Sequence, residues 1–375
     1  MRVAIVSDVC DPPANGVSRT LGMVRLHLER LGHRVDALEP HLFRTVPCPT
    51  EPGIRLALRP GAAFARRMDG LAPQTVVLAT EGPLGLAGRR WCLRRGVPFV
   101  SLFTTKFPEA IELRLGVPAA WTYALLRWFH RPSRAVLAAT PSLREELRGR
   151  GFARVVPWSR GVDADLFRPR PKGWLDLPRP VFLHVGRIAV EKGVEDFLAL
   201  DLPGSKLVVG DGALLPALRR RYPGVRFAGL LRGEELARHY AAADVFVFPS
   251  RTDTFGLVVL EALASGLPVA AHPVTGPRDI IGDSGTGVLD EDLGRAARAA
   301  LGIDPARCRA HALGWRWEDC AARLSDLLRE VAGRSGAAAA APGAAPAASR
   351  AGPWPPRAGG VGAAAGGLRP GAPSP

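Results

Sequence analysis

Thr252-Asp253-Thr254-Phe255-Gly256-Leu257-Val258-Val259-Leu260-Glu261-Ala262-Leu263-Ala264-Ser265-Gly266-Leu267-Pro268-Val269 is the stretch on which the reading of this chain turns. It follows an apolar run, Val245–Phe248, and leads into another, Pro268–Ala271, with a helical pattern over Leu257–Ser265 between them. That is strand, helix, strand, the unit of a parallel sheet. Asp253 and Glu261 read as acids at the two ends of one helix, where eight residues at 1.5 Å rise hold them about 12 Å apart. Such a separation suits the two ends of an extended ligand rather than one reacting atom. Between the acids, Phe255, Gly256, Leu257 and Val258 offer unpaired backbone N–H groups at a helix N-terminus, where donors and dipole together stabilise a diphosphate. Two solvated acids on an amphipathic helix would be the plain alternative. The apolar face carrying Glu261 and the tight Ser265-Gly266 closure argue against it.

Upstream, His184-Val185-Gly186-Arg187-Ile188-Ala189-Val190-Glu191-Lys192-Gly193 is again a strand ending in glycine. Arg187 and Lys192 can neutralise a leaving diphosphate, a task often given to a divalent metal, so no metal is expected. A surface pair of Arg187 with Glu191 at i, i+4 is the plainer reading of that cation. Val208-Val209-Gly210-Asp211-Gly212 adds a strand and tight turn, weak by itself.

The alternation extends over the chain. Strands are expected at Val181–Val185, Lys206–Val209 and Arg226–Ala228, with helices near Val194–Leu200, Leu214–Arg221 and Glu234–Ala242. The first half opens with Val3–Val6, a Pro/Asn/Gly loop and a helix ending at Gly32. Strands at Arg34–Leu38, Thr75–Ala79, Phe99–Leu102 and Ala135–Ala138 follow. A proline-dense passage, Pro157–Pro180, separates the halves. The expectation is an α/β chain of two Rossmann-like, doubly wound parallel-sheet domains facing across a cleft. Residues 1–160 form the first and 181–307 the second, joined by a linker over 161–180. A helix over 308–331 crosses back to the first domain. Ligand belongs in the cleft, at the carboxyl ends of both sets of strands. Residues 333–375 are mostly Ala, Gly and Pro and are expected to be disordered.

Charge is lopsided. Residues 1–160 carry 24 basic and 12 acidic side chains, whereas 161–332 carry 22 and 23. A basic first domain points to an anionic partner, here a phospholipid surface rather than nucleic acid. Only four of the fifty cations are lysine, so biased codon usage is the competing explanation. Five scattered cysteines without metal-ligand spacing read as ordinary thiols. With neither a leader pattern at the start nor an apolar stretch able to span a bilayer, the protein is expected to be cytoplasmic or peripheral on the cytoplasmic face of the membrane.

Together, Asn15-Gly16-Val17, Gly161-Val162-Asp163, Gly186-Arg187 with Glu191-Lys192, Gly210-Asp211-Gly212, Phe248-Pro249-Ser250 and the acid-x7-acid segment resemble glycosyltransferase family 4 in the order they occur. The resemblance covers about residues 1–332. Trp158-Ser159-Arg160-Gly161-Val162-Asp163, Asp253-Thr254-Phe255-Gly256 and Thr275-Gly276-Pro277-Arg278-Asp279 look most like the branch of GDP-mannose-dependent α-mannosyltransferases and sulfoquinovosyl-diacylglycerol synthases. The resemblance implies a GT-B fold and a retaining, metal-independent hexosyltransferase, taking a nucleotide sugar to a lipid or lipid-linked glycan. It implies that Gly16 approaches the donor phosphate or acceptor, that Gly186, Arg187 and Lys192 bind the diphosphate, that Asp253 holds hexose hydroxyls and that Glu261 accepts from the ribose.

Two positions depart from the family's pattern. Asp253 stands where the first acid is usually Glu. In Ser101-Leu102-Phe103-Thr104-Thr105-Lys106-Phe107-Pro108-Glu109-Ala110, Thr104 replaces the active-site His and Ala110 a Tyr. Thr104 can donate to a sugar hydroxyl but carries no charge and relays no proton near neutral pH. A sugar-nucleotide epimerase or hydrolase, or an inactive donor-binding partner subunit, are therefore the other readings. Asp163-Ala164-Asp165 has a metal-site form but lies in the linker. His130 and His184 read as packed imidazoles. Gly116–Phe129, rich in Trp and Arg, reads first as a helix covering the sheet and second as a membrane-interface segment.

Overall fold

The computed structural model describes residues 1–9, 16–48 and 51–333. Expectations for Cys10, for the loop up to Asn15 and for residues 334–375 lie outside the described residues. The first half runs β1 (Arg2–Val6), α1 (Gly16–Arg30), β2 (Arg34–Leu38), a hairpin of β3 (Thr45–Cys48) and β4 (Glu51–Ala57), α2 (Gly61–Leu71), β5 (Thr75–Leu78), α3 (Pro83–Arg95), β6 (Phe99–Phe103), α4 (Phe107–Leu115), α5 (Ala119–His130), β7 (Val136–Ala138), α6 (Pro141–Gly149) and β8 (Val155–Pro157). The second runs β9 (Val181–Val185), α7 (Val194–Leu198), β10 (Ser205–Val209), α8 (Leu215–Arg221), β11 (Arg226–Gly229), α9 (Gly233–Ala242), β12 (Val245–Phe248), α10 (Leu257–Ala264), β13 (Val269–Ala271), α11 (Pro277–Ile281), β14 (Gly287–Leu289), α12 (Leu293–Ala300), α13 (Pro305–Ala312) and α14 (Trp317–Gly333).

Each half is a six-stranded parallel sheet, ordered β2-β1-β5-β6-β7-β8 and β11-β10-β9-β12-β13-β14. The uniformly buried strands Thr75–Leu78, Val181–Val185 and Val245–Phe248 are apolar apart from Thr75 and His184 because helices cover both faces. In the first sheet, α1 and α14 cover one face through Leu21, Val24, Leu28, Leu324 and Leu328. The other face is covered by α2, α3 and α5 through Phe64, Met68, Leu84, Cys92 and Phe129.

Several expectations are corrected. The helix read over 308–331 is two helices, broken at Gly314 and Trp315, where the indole turns into the core against Phe255. Gly333 closes α14 instead of opening the tail. Val155–Pro157, not read as a strand from sequence, pairs with β7 as a sheet edge, where proline is tolerated. The β3–β4 hairpin and β14 were not anticipated; β14 has only three residues, and β3–β4 stands outside the main sheets.

Candidate functional site

In both sheets the strand order reverses beside the first strand, between β1 and β5 and between β9 and β12. Loops leaving the carboxyl ends diverge at such a switch point and open a crevice. In the second sheet the two diverging loops are Gly186–Gly193 and Pro249–Gly256, the segments singled out from sequence. Backbone packing holds the first loop in place. A side chain at Gly210 would put its Cβ 1.8 Å from the Gly186 carbonyl oxygen, and one at Gly212 2.3 Å from that of Ile188. Gly210-Asp211-Gly212 thus has a structural task its sequence alone did not reveal.

The loops meet through charge. Lys192 Nζ lies 2.6 Å from Asp253 Oδ2, both partly exposed to the cleft. Arg187 pairs with Glu191 at 2.7 Å, the plainer arrangement for that cation, with its side chain 40% exposed. Asp253 does not lie on the helix. It precedes α10 by a loop that ends at Gly256 with φ +87°, so the 12 Å separation read from helical rise does not apply. No side chain caps the α10 N-terminus. Phe255 is buried against Trp315, and a Cβ at Gly16 would come within 3.6 Å of Leu257 Cδ1, so the first domain's α1 begins directly opposite the start of α10. Leu257 and Val258 form its first turn and pack against the core of the second domain.

Glu261 is 3% exposed and doubly held. Tyr240 donates to Oε2 at 3.0 Å, and Arg19 of α1 reaches across the cleft to within 2.5 Å of Oε1. Glu261 raises the Arg19 guanidinium above its usual range, and burial beside the same carboxylate holds the Tyr240 hydroxyl protonated. An ionised carboxylate offers about four acceptor positions, so two bonds leave room for ligand hydroxyls. Neither Arg19 nor Tyr240 was anticipated. One signal was legible: a cation in the first turn of a helix opposes the macrodipole, and α1 has no acid there to answer it.

Three further hydrogen bonds tie the domains together. Thr254 Oγ1 donates to the Thr104 carbonyl at 2.7 Å, and Asp279 Oδ1 accepts from the Ser142 amide and hydroxyl at 3.0 and 2.9 Å. Thr104 is therefore at the cleft beside the loop bearing Asp253, with its own hydroxyl buried and without a hydrogen-bond partner. Behind it, Lys106 pairs with Glu146 at 2.8 Å and Tyr123 donates to Glu109 at 2.6 Å. The other candidates are structural. His130 is buried between Ser101 and Glu81, at 2.8 and 3.2 Å. His184 bonds the Val247 carbonyl beneath the Gly186 loop, and burial pushes its pKa down to about 4. Asp163 accepts from the Leu166 amide.

Residues 14–166 match the family model described as Glycosyltransferase Family 4, and 179–303 the one described as Glycosyl transferases group 1. The chain is 35% identical, over 77% of its length and 83% of the relative's, to a GDP-mannose-dependent alpha-mannosyltransferase of Mycobacterium tuberculosis. It is 30% identical, over 64% of its length and 50% of the relative's, to a sulfoquinovosyl transferase of Arabidopsis thaliana. Among solved structures, sucrose-phosphate synthase from Thermosynechococcus elongatus superimposes with a TM-score of 0.75 at 22% identity, over 89% of this chain and 99% of that one, a likeness of fold.

Proposed function

The chain belongs to glycosyltransferase family 4 and has its GT-B fold, and on that premise we propose that it moves a hexose, mannose or a close relative, from a nucleoside-diphosphate sugar to a lipid or lipid-linked glycan. The observation that carries this reading is the arrangement at the second switch point. Arg187 and Lys192 stand on one of its two loops and the uncapped α10 N-terminus ends the other, with Lys192 reaching Asp253 between them; a diphosphate held there would have Asp253 on one side and Glu261 on the other. Mannosyl and sulfoquinovosyl transfer by the relatives supports a hexose donor.

Both cations are held by acids of the same loops, Arg187 by Glu191 and Lys192 by Asp253. A diphosphate would draw them from these partners and release Asp253 toward the hexose hydroxyls. Charge developing on the leaving phosphate then meets two fixed cations and a helix dipole, and no metal is needed. Transfer breaks the bond from the sugar's anomeric carbon to the phosphate oxygen and forms one to the acceptor oxygen on the same face. The departing phosphate oxygen takes the acceptor's proton. Thr104, with a hydroxyl free to donate, would hold a sugar hydroxyl where a His would otherwise stand. Work at the cytoplasmic face of a membrane as a peripheral protein follows from the acceptor class; among the described residues no helix is long and apolar enough to cross a membrane.

Purified protein incubated with GDP-mannose or UDP-hexoses and a membrane extract is expected to yield labelled glycolipid and free nucleoside diphosphate with EDTA present. Activity restored only by Mg²⁺ would remove the role given to Arg187 and Lys192. Donor consumed without labelled product would replace transfer by hydrolysis or epimerisation.

A further inference from the structure

On the first domain, the outer sides of α2, α3 and α5 form one surface away from the cleft core. Along α5, Trp121, Leu125 and Trp128 stand 72%, 59% and 50% exposed, while Tyr123, Leu126 and Phe129 turn inward. The spacing of i, i+4 and i+7 puts the exposed three on one face. Neighbouring α3 extends the apolar strip with Leu86 and Leu93, also exposed. Arg89 joins the helices: its guanidinium stacks 4.0 Å from the Trp128 ring and donates to the Phe129 carbonyl at 3.0 Å. Scattered exposed apolar residues are ordinary, but a strip of two tryptophans and three leucines on adjacent helices is a contact surface.

Beside the strip lie two cavities of about 730 Å³ each. The first is lined by His41, Arg44, Arg59, Arg66 and Arg67 at the hairpin and α2. The second shares Arg59 and continues along α3 with Leu86, Arg90, Trp91, Arg94 and Arg95. Asp69 answers Arg95 at 2.7 Å. None of Arg44, Arg59, Arg66, Arg90 and Arg94 has a carboxylate partner among the described residues. Pro83 opens α3 at the carboxyl end of β5, so this surface starts at the mouth of the cleft.

We propose that this face is where the protein lies on an anionic phospholipid bilayer, with lipid phosphates entering the arginine-lined cavities and Trp121, Leu125 and Trp128 passing into the interface. Charge complementarity selects this occupant: unpaired guanidiniums match headgroup phosphates, and exposed indoles favour the headgroup level. The same placement presents the cleft mouth to a lipid acceptor, and in that respect it rests on the function proposed above.

The test is sedimentation of the full chain with phosphatidylcholine vesicles and with mixed phosphatidylcholine–phosphatidylglycerol vesicles, no sugar nucleotide added. The protein is expected to follow the mixed vesicles and to be released by salt. Near an anionic surface each cation is worth roughly fivefold in partition. Arg66→Glu with Arg90→Glu should therefore weaken binding by about 25-fold or more. Trp121→Ala with Leu125→Ala should also weaken it, and Trp121→Phe should retain it. Arg30→Glu, on α1 at the opposite face of the sheet, should bind as the parent does. Each variant's thermal midpoint is read alongside, so that unfolding is recognised. Equal binding to both vesicle types, or loss of binding in Arg30→Glu but not in the α2–α3 variant, overturns the proposal. So does a change in self-association of the Trp121→Ala, Leu125→Ala protein with vesicle binding intact, since the strip would then cover a second copy. Vesicle binding without any labelled glycolipid would sink the transferase reading alone, and labelled product from detergent-dissolved lipid without vesicle binding would sink this one alone.

Discussion

Arg19 and Glu261 lie 242 positions apart in sequence and on opposite sides of the cleft, yet the guanidinium and carboxylate are 2.5 Å apart. The Glu261 side chain is 4% exposed, while Arg19 is 39% exposed. Removing the cation leaves a buried carboxylate with Tyr240 as its remaining donor. Arg19→Ala is expected to cost about 2 kcal/mol, below the usual toll for breaking a buried pair because Arg19 is partly solvated. Donor KM should rise with it, since Glu261 is then no longer held in place from the first domain. Arg19→Met with Glu261→Gln should regain most of the stability and none of the donor affinity. Thermal unfolding and donor titration together decide this; unchanged donor binding in the single variant would remove Arg19 from the site.

Thr104 has a buried hydroxyl without a partner, while its carbonyl is engaged by Thr254. Losing an unpaired polar group costs nothing, so Thr104→Ala should keep or raise stability by up to about 1 kcal/mol. If the hydroxyl meets the sugar, kcat/KM should fall about tenfold, worth roughly 1.4 kcal/mol of transition-state stabilisation. Parallel melting and kinetic measurements separate the two effects, and equal activity would leave the position without a role in transfer.

Gly210 has φ +144° and no space for a Cβ against the Gly186 carbonyl. Gly210→Ala is expected to destabilise by about 3 kcal/mol or more and to displace the loop holding Arg187 and Lys192. A urea titration gives the first effect and donor affinity the second. A loss of stability with donor affinity intact would show that the turn does not set the loop.

Four histidines are held neutral by burial: His184, pushed down to about 4, and His33, His272 and His311, each lowered. The unfolded chain protonates them near 6.5, so below that pH it binds more protons than the folded one. Their contribution is fully present above about 6.5 and is lost as pH falls toward 4, with His184 alone worth roughly 3 kcal/mol. Urea midpoints should fall between pH 7 and pH 5, less steeply in His184→Gln. A flat profile would contradict this.

Most of the fold was legible because a strand buried on both faces reads as a nearly unbroken apolar run, as Val245–Phe248 does throughout and Val181–Val185 does apart from His184. Short edges such as Gly287–Leu289 carry no such signal, and neither does a helix break made by one tryptophan turning inward at Trp315. The donor-side positions stood out because their spacing is local. Arg19, Tyr240 and Ser142 did not, because their parts in the site come from contacts 21 to 242 positions away. Asp253 was found but wrongly placed on the helix, since the left-handed Gly256 that starts α10 cannot be read from apolar periodicity.

The polypeptide passes between the two halves twice, once after β8 and again between α13 and α14, and the passes are bonded to each other. Val162 donates to the Trp315 carbonyl at 2.9 Å, and Gly161 lies so close that a Cβ would be 2.3 Å from the Trp317 nitrogen. Two straps fastened side by side act as the spine of a book: they leave the covers free to open and shut but resist swivelling one against the other. Release of a spent nucleotide would then be a matter of breaking the Arg19, Thr254 and Ser142 fastenings at the fore-edge, along one axis fixed by a glycine too small to hold its neighbour away.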